Sequence, residues 1–182
     1  CNMLVSMGAQ IQGIGSNKLT ITGTNKLSGT ERTVISDHLD VAWLIVAAAM
    51  TNGDITINNA CTQHMWLIVQ MVNKLWVYPE VDREKNQITI KPNQPLVIKK
   101  TIKGNPRRTH ALHRPLLPPD IVHAMVVLAL KAEWQAIFDN LFYEYGFFFV
   151  QELAKMKANI ILANPVTIIT TGPTQFKPAN LV

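Results

Sequence analysis

The chain has 182 residues, of which 48% are hydrophobic and 16% charged, and its formal net charge is +5 at pH 7. So large an apolar content can offset the entropy lost on ordering, which excludes an intrinsically disordered protein. The longest clean apolar run, Val41 to Met50, is about half of the roughly 20 residues that a membrane-spanning helix needs. We therefore expect a folded domain in the cytoplasm or in an organelle interior.

The two cysteines, Cys1 and Cys61, form neither a disulfide framework nor a metal-ligand cluster. A leading Cys in place of Met is typical of a trimmed or partial chain. The five histidines lack the spacing that puts two ligands on one helix face. We predict no metal site and no cofactor.

The first predicted elements are a helix end near Met7, a strand near Ile11 and a second strand over Leu19 to Gly23. The second strand alternates in the manner of a half-buried strand rich in β-branched residues. After a link, Asp37 is suited to cap a helix that continues to Met50.

The same order of elements occurs twice more along the chain. The second round has a strand over Asp54 to Ile57, a helix over about Thr62 to Leu75, a strand near Trp76 and an alternating strand over Gln87 to Ile90. The third has a helix opened by Pro118, Pro119 and Asp120 and running to about Lys131, a strand around Ala136 to Leu141, a helix over about Gly146 to Lys157, and strands near Ile160 and over Val166 to Gly172.

This order is a repeated βαβαββ unit, with the chain beginning inside one unit and ending inside another. It predicts a single domain over 1–182, with repeat units at roughly 17–92 and 93–172 flanked by partial units. A unit of this kind cannot bury its own faces alone, so the units should pack together. The predicted fold class is α+β, with repeated βαβαββ units around shared internal helices.

Five stretches carry a further pattern: Leu4 to Gly15, Leu19 to Gly23, Lys26 to Thr30, Ala47 to Ile57 and Val150 to Ala158. Together they resemble the UDP-N-acetylglucosamine enolpyruvyl transferase family. The resemblance implies an enzyme of two like domains that moves an enolpyruvyl group from phosphoenolpyruvate to UDP-N-acetylglucosamine in the cleft between them. The chain is similar to the second, C-terminal domain only, and the family's first domain, with its reactive cysteine, has no counterpart here.

The resemblance also assigns site residues. The family's Ile-Pro-Asp-Arg turn falls on Ile35 to His38, so Asp37 and His38 occupy substrate-binding positions and an arginine is lost. The family's Phe-Pro-Thr-Asp turn falls on Leu117 to Asp120, which places Asp120 at the proton-transferring carboxylate. An alternative is that Asp37 and Asp120 are simple helix N-caps at equivalent points of the repeat.

The family's Glu-Asn-Arg-Phe segment resembles Glu144 to Phe147, with Glu144 as a further substrate-binding position and Gly146 in place of a second arginine. Losing two arginines removes charge-assisted bonds from a site that handles phosphoryl and carboxylate groups. We therefore predict a degenerate domain, inactive alone, that serves as a scaffold or interaction subunit. The alternative is a fragment of an active, divergent transferase of cell-wall precursor synthesis, and a redesigned domain is a third possibility.

Three consecutive aromatic residues, Phe147, Phe148 and Phe149, cannot all face inward on a helix. They belong either to the core or, with Trp66, to an interaction surface for a protein partner, a second copy or the missing first domain. The other tryptophans are expected in the core.

Positive charge is concentrated between Lys99 and Arg114. This segment, 99–114, is predicted to be a connector longer than the family's and solvated. Its positive charge is compatible with nucleic acid as a partner, although the sequence lacks the interleaved aromatic and basic residues of a protein that binds single strands.

Overall fold

A computed structural model describes residues 1–112, 117–143 and 146–180. By its internal contacts the chain separates into two compact units, Cys1–Ile35 and Ser36–Val182. The division of the sequence into repeats at 17–92 and 93–172 stays a prediction. No helix of the described residues is long and apolar enough to cross a bilayer.

The first unit contains one short helix and a two-stranded sheet. Helix α1 spans Asn2–Ser6, and strands β1, Gln10–Gln12, and β2, Thr20–Thr22, pair antiparallel. The predicted helix end and both strands are confirmed. The half-buried character expected of the second strand is wrong, because every residue of β2 is exposed.

The second unit begins with a helix and a three-stranded antiparallel sheet in the order β3-β5-β4. Ile88 and Ile90 of β5 are fully buried, as the alternating pattern predicts. Its elements are α2, His38–Thr51; β3, Ile55–Asn58; a 3₁₀ turn, Thr62–His64; α3, Trp66–Asn73; β4, Glu80–Asp82; and β5, Gln87–Ile90.

The strand predicted near Trp76 is wrong. Trp76 has a φ of 54°, a left-handed conformation that ends a helix and interrupts a strand. The amide of Val77 donates back to the Val72 carbonyl at 3.1 Å. The segment is therefore the cap of α3, and strand β4 begins only at Glu80.

The remaining elements complete one full βαβαββ unit, with a sheet in the order β6-β7-β9-β8. Strand β6 runs parallel to β7, and the other pairs are antiparallel. The elements are β6, Arg107–Ala111; α4, Pro119–Lys131; β7, Trp134–Asn140; α5, Val150–Lys155; β8, Ile160–Asn164; and β9, Thr167–Gly172.

Strand β6 lies inside the segment that was predicted to be a solvated connector. Its sequence is polar and lacks the apolar alternation by which a strand is predicted. Arg108 and His110 are outward-facing residues of an edge strand, and only Ala111 is fully buried. Part of the basic segment is thus ordered on a sheet, and the connector prediction is wrong for 107–111.

Helix α4 forms the centre of the core. Ile121, Met125 and Leu128 are each at most 1% exposed, and the helix is buried around most of its circumference. It packs against α2, whose Ile45 is also fully buried. The strongly apolar composition of both helices is what an internal helix requires, and the mixed α and β architecture confirms the predicted fold class.

Candidate functional site

The N-terminus of α2 carries the first pair of predicted site residues. Asp37 is the N-cap, and its Oδ1 accepts a hydrogen bond of 2.8 Å from the Leu39 amide. The capping interpretation of Asp37 is therefore confirmed. His38 follows as the first helical residue, partly buried, with its Nδ1 3.7 Å from Asp37 Oδ1.

The N-terminus of α4 is built differently. Pro118 is the N-cap and Pro119 the first helical residue, so the fixed φ of proline starts the helix without a capping side chain. Asp120 lies in the first turn, exposed, and its carboxylate makes no hydrogen bond or ion pair with another described residue. The capping interpretation of Asp120 is therefore wrong.

These two helix ends line adjoining depressions that share His38 and Pro118. His38 and Asp120, far apart in sequence, thus border one depression of about 290 Å³, and Trp66 borders the other, of about 240 Å³. The first is lined by His38, Leu39, Leu112, Pro118, Pro119, Asp120, Phe142 and Tyr143. The second is lined by His38, Gln63, His64, Trp66, Leu67, Ile68 and Pro118.

His64 is a member of this site that the sequence reasoning missed. Its ring centroid lies 6.3 Å from that of His38, and its Nε2 is 3.4 Å from Gln63 Nε2. Because 26 positions separate the two histidines, no spacing rule could have paired them. Within 1–112, 117–143 and 146–180, no three His, Cys, Asp or Glu side chains lie close enough to hold a metal ion.

Predicted site residue Glu144 lies outside the described residues. The Asn140 Oδ1 accepts hydrogen bonds from the amides of Phe142 and Tyr143, at 3.2 and 3.3 Å. This turn at the end of β7 brings both aromatic residues to the depression with Asp120.

Asp139 is a buried carboxylate beside that turn. Thr167 Oγ1 donates to its Oδ1 at 2.7 Å, while His110 Nδ1 and Arg108 Nε lie 2.9 and 3.4 Å from its Oδ2. Neither nitrogen is aligned as a hydrogen-bond donor to Oδ2. Arg108 therefore acts on this carboxylate by charge attraction, while β6 itself is held by its parallel pairing with β7.

The predicted aromatic surface is only partly exposed. Phe147 is 1% exposed and belongs to the core, which removes it from any interaction surface. Phe148 is 77% exposed, and Phe149 packs edge-on against His123 at a centroid distance of 4.6 Å. Trp66 is 60% exposed, which agrees with a surface position.

The expectation that the remaining tryptophans are core residues is wrong. Trp43, Trp76 and Trp134 are 42%, 36% and 52% exposed. Indole is large and carries a polar N–H, and full burial requires a partner for that donor. Composition alone cannot tell on which face of an element such a residue falls.

Comparison with known proteins defines the class of this chain. The profile of the EPSP synthase family (3-phosphoshikimate 1-carboxyvinyltransferase) matches residues 1–182. The chain therefore belongs to the EPSP synthase family of enolpyruvyl transferases.

Relatives within the family are named for a particular activity. The UDP-N-acetylglucosamine 1-carboxyvinyltransferase of Borreliella burgdorferi is 37% identical over 177 residues, 97% of this chain and 41% of that protein. The enzyme of the same name from Bacteroides thetaiotaomicron is 33% identical over 172 residues, 94% of this chain and 39% of that protein. The chain thus spans about 40% of the length of the curated relatives that it matches.

Solved structures agree with the fold. The enolpyruvyl transferase NikO from Streptomyces tendae superposes with a TM-score of 0.77 at 19% identity, covering 93% of this chain and 38% of that one. EPSP synthase from Acinetobacter baumannii superposes with a TM-score of 0.66 at 21% identity, covering 94% of this chain and 39% of that one.

Proposed function

We propose that the chain forms one wall of the cleft of an enolpyruvyl transferase that uses UDP-N-acetylglucosamine and phosphoenolpyruvate. In this proposal Asp120 transfers the proton, and His38 borders the bound anionic groups. The observation that carries the proposal is the placement of Asp120. Its carboxylate is exposed, takes no part in capping α4 and borders the same depression as His38.

The electrostatics of the depression suit an anionic ligand. Residues of the first turns of α2 and α4 line it, and the first turn of a helix has unpaired N–H groups and a partial positive charge. Phosphate and carboxylate groups bind readily at such helix ends. His38 stands at the position of a family arginine and adds positive charge only when it is protonated.

The proposal requires a second wall. The chain covers about 40% of the length of its curated relatives, and one wall cannot close over a substrate and exclude water. We therefore assign to these residues a share of substrate binding and proton transfer, and expect the remaining contacts to come from the part of the family fold that they do not cover.

The experiment is an NMR titration of the ¹⁵N-labelled chain with UDP-N-acetylglucosamine and, separately, with phosphoenolpyruvate. We expect shifts confined to the amides around His38 and Asp120 and to the Trp66 indole, at millimolar affinity. The Asp120→Asn variant should bind phosphoenolpyruvate several-fold more tightly, because a negative charge is removed from the depression. Asp40→Asn is the matched control, since Asp40 is an exposed acid of the first turn of α2 that does not line it.

The proposal is overturned if neither ligand shifts these resonances at about 10 mM, or if Asp120→Asn and Asp40→Asn change the affinity equally. Equal effects would mean that the anion responds to net charge and not to the depression.

A scaffold role is the second candidate. It is favoured by Trp66 and Phe148, large apolar residues that stay 60% and 77% exposed, since exposed apolar surface commonly marks a contact site. Under this proposal the chain associates with a protein partner or a second copy. Sedimentation of the chain and of a Trp66→Ser, Phe148→Ser variant tests it: self-association should weaken at least tenfold, and identical monomeric behaviour of both argues against a second copy.

A further inference from the structure

A third depression lies at the opposite end of β7 from the candidate site. The strand begins at Trp134 and ends at Asn140, whose side chain holds the turn described above. Around Trp134 is an open cavity of about 600 Å³, within the size range of small-ligand sites. Its lining includes Lys100, Glu133 and Trp134.

Trp134 is held in an unusual conformation. Its φ is 83°, a region in which a bulky side chain is strained and glycine is favoured. The side chain is nevertheless 52% exposed, so burial of the indole does not account for a tryptophan at this position. Strain of this kind is concentrated at functional sites, where the surrounding structure maintains it.

The tertiary structure places cations against aromatic rings on this side of the unit. Lys100 Nζ lies 3.3 Å from the centroid of the Trp134 ring, and Lys99 Nζ lies 5.7 Å from that of Tyr78. Both rings are about half exposed. Proteins that bind single strands stack nucleobases on aromatic side chains and neutralise the adjoining phosphates with basic ones, and the two kinds of side chain alternate.

The backbone beneath these lysines is anchored. The Ile98 amide donates to the Glu133 carbonyl at 3.1 Å, and the Lys99 amide donates to the Lys74 carbonyl at 3.0 Å. The Lys99 carbonyl in turn accepts from Arg107 Nε at 3.0 Å. The two lysines therefore project from a backbone that is fixed before any ligand arrives, which lowers the entropy cost of binding.

We propose that this depression, the Trp134 site, binds a nucleoside phosphate, with the base stacked on Trp134 and the phosphate close to Lys100. The nucleotide is either free or part of a single strand, since the recognised chemistry is the same. A simple anion would use the lysine but not the strained ring, and an acidic peptide would leave the ring without a stacking partner. The exposed carboxylate of Glu133 in the lining opposes the phosphate and limits the affinity.

The test is an NMR titration that follows the four indole N–H resonances, assigned with Trp→Phe variants. The ligands are thymidine monophosphate, a ten-nucleotide oligo-dT and, as an acidic peptide, oligoglutamate. We expect both nucleotide ligands to shift the Trp134 resonance. The Trp43 resonance, from a residue that lines neither the Trp134 site nor the candidate site, is the internal control. Tighter binding of oligo-dT, weakening steeply with salt, identifies a strand as the ligand, and equal binding identifies a free nucleotide.

Variants separate stacking from folding. Trp134→Gly removes the ring and relieves the strain at a φ of 83°, so it should stay folded and lose at least tenfold in affinity, while Trp134→Phe should lose only a fewfold. Lys100→Ala should weaken binding several-fold more than Lys100→Arg. Glu133→Gln should strengthen binding several-fold, because it removes the opposing charge.

The proposal is overturned if neither nucleotide ligand shifts the Trp134 resonance at 5 mM, or if oligoglutamate binds as tightly as oligo-dT. It is also overturned if Trp134→Gly is folded and binds like the unchanged chain. None of these results bears on the candidate site at Asp120, which the separate titration tests.

Discussion

Asp37 and Asp120 show how one residue type takes two roles at equivalent helix ends. Asp37 provides the hydrogen bond that starts α2, whereas two prolines start α4 and leave Asp120 exposed. The sequence offers both carboxylates with the same capping pattern. The distinction depends on the backbone of the preceding residues, which proline sets directly.

The Asp37→Ala substitution should reduce the free energy of unfolding by about 1 kcal/mol, because the Leu39 amide loses its acceptor. Asp120→Ala should cost less than about 0.5 kcal/mol, the value of an exposed charge near a helix end. Urea denaturation followed by circular dichroism measures both. An equal loss in the two variants would contradict the different roles assigned to the two residues.

Phe147 and Phe148 are adjacent residues with opposite environments, at 1% and 77% exposure. Phe147→Ala should destabilise the chain by about 3–5 kcal/mol, the usual cost of emptying a buried aromatic position. Phe148→Ala should change stability by no more than about 0.5 kcal/mol. Denaturation midpoints decide the matter, and a large loss for Phe148→Ala would place that ring in the core.

Lys74 is partly buried, and desolvation, followed by repulsion from Arg107, lowers the pKa of its ammonium group below the ordinary value of 10.5. The unfolded chain then binds more protons than the folded one between the lowered pKa and 10.5, so this group makes stability rise with pH in that window. Lys74→Met should abolish that rise. Thermal unfolding between pH 7 and 10.5 measures it, and Lys85→Met, at an exposed lysine of the β4–β5 turn, is the control.

At the scale of elements, the strands that could be predicted from alternating apolar residues are the apolar ones. Strand β5 buries Ile88 and Ile90, and its alternation is visible in the sequence. Strand β6 has two arginines and a histidine, and its pairing with β7 depends on the sheet already formed by β7 and β9. The sequence of such an edge strand shows little intrinsic preference for β structure, because the neighbouring strand supplies most of its stability.

The end of β9 lies against the end of α4 at Gly172, and a side chain there has no room. An added Cβ would collide with the backbone carbonyls of Ala132, Ala129 and Leu130. Gly172→Ala should therefore destabilise the chain by about 1–3 kcal/mol, as overpacking does. Gly29→Ala is the control, since nothing lies within 4 Å of a Cβ at that position. Differential scanning calorimetry compares them, and a neutral Gly172→Ala would contradict the close approach.

For the whole molecule, the prediction that the chain is inactive alone follows from its share of the family fold. The chain spans about 40% of the length of its relatives, and we expect a single wall of a cleft not to exclude water from a reacting centre. The purified chain, incubated with UDP-N-acetylglucosamine and phosphoenolpyruvate, should release no phosphate above the rate without protein. Turnover that Asp120→Asn abolishes would overturn this prediction.

Much of the molecule could be predicted from the order of its residues. Most of the element order, the internal helices and the cap at Asp37 depend on local periodicity and on contacts with near neighbours in the chain, whereas β6 and the start of β4 do not. Most of the candidate site could not be so predicted. His64, Tyr143 and Asp139 reach their positions through strand ends and turns, whose side chains converge only when the sheet is assembled.

The sequence by itself determined the α+β class and the family, because apolar periods and short motifs are properties of neighbouring residues. Only the tertiary structure decided which acid borders a depression, because that depends on the neighbouring α2. Which acid caps its helix depends on Pro118 and Pro119, which start α4. It also decided that Tyr78 meets Lys99 and Trp134 meets Lys100. These neighbours are far apart along the chain, and they are brought together by the isolated bridge between Val97 and Glu133 and by the hydrogen bond from the Lys99 amide to the Lys74 carbonyl.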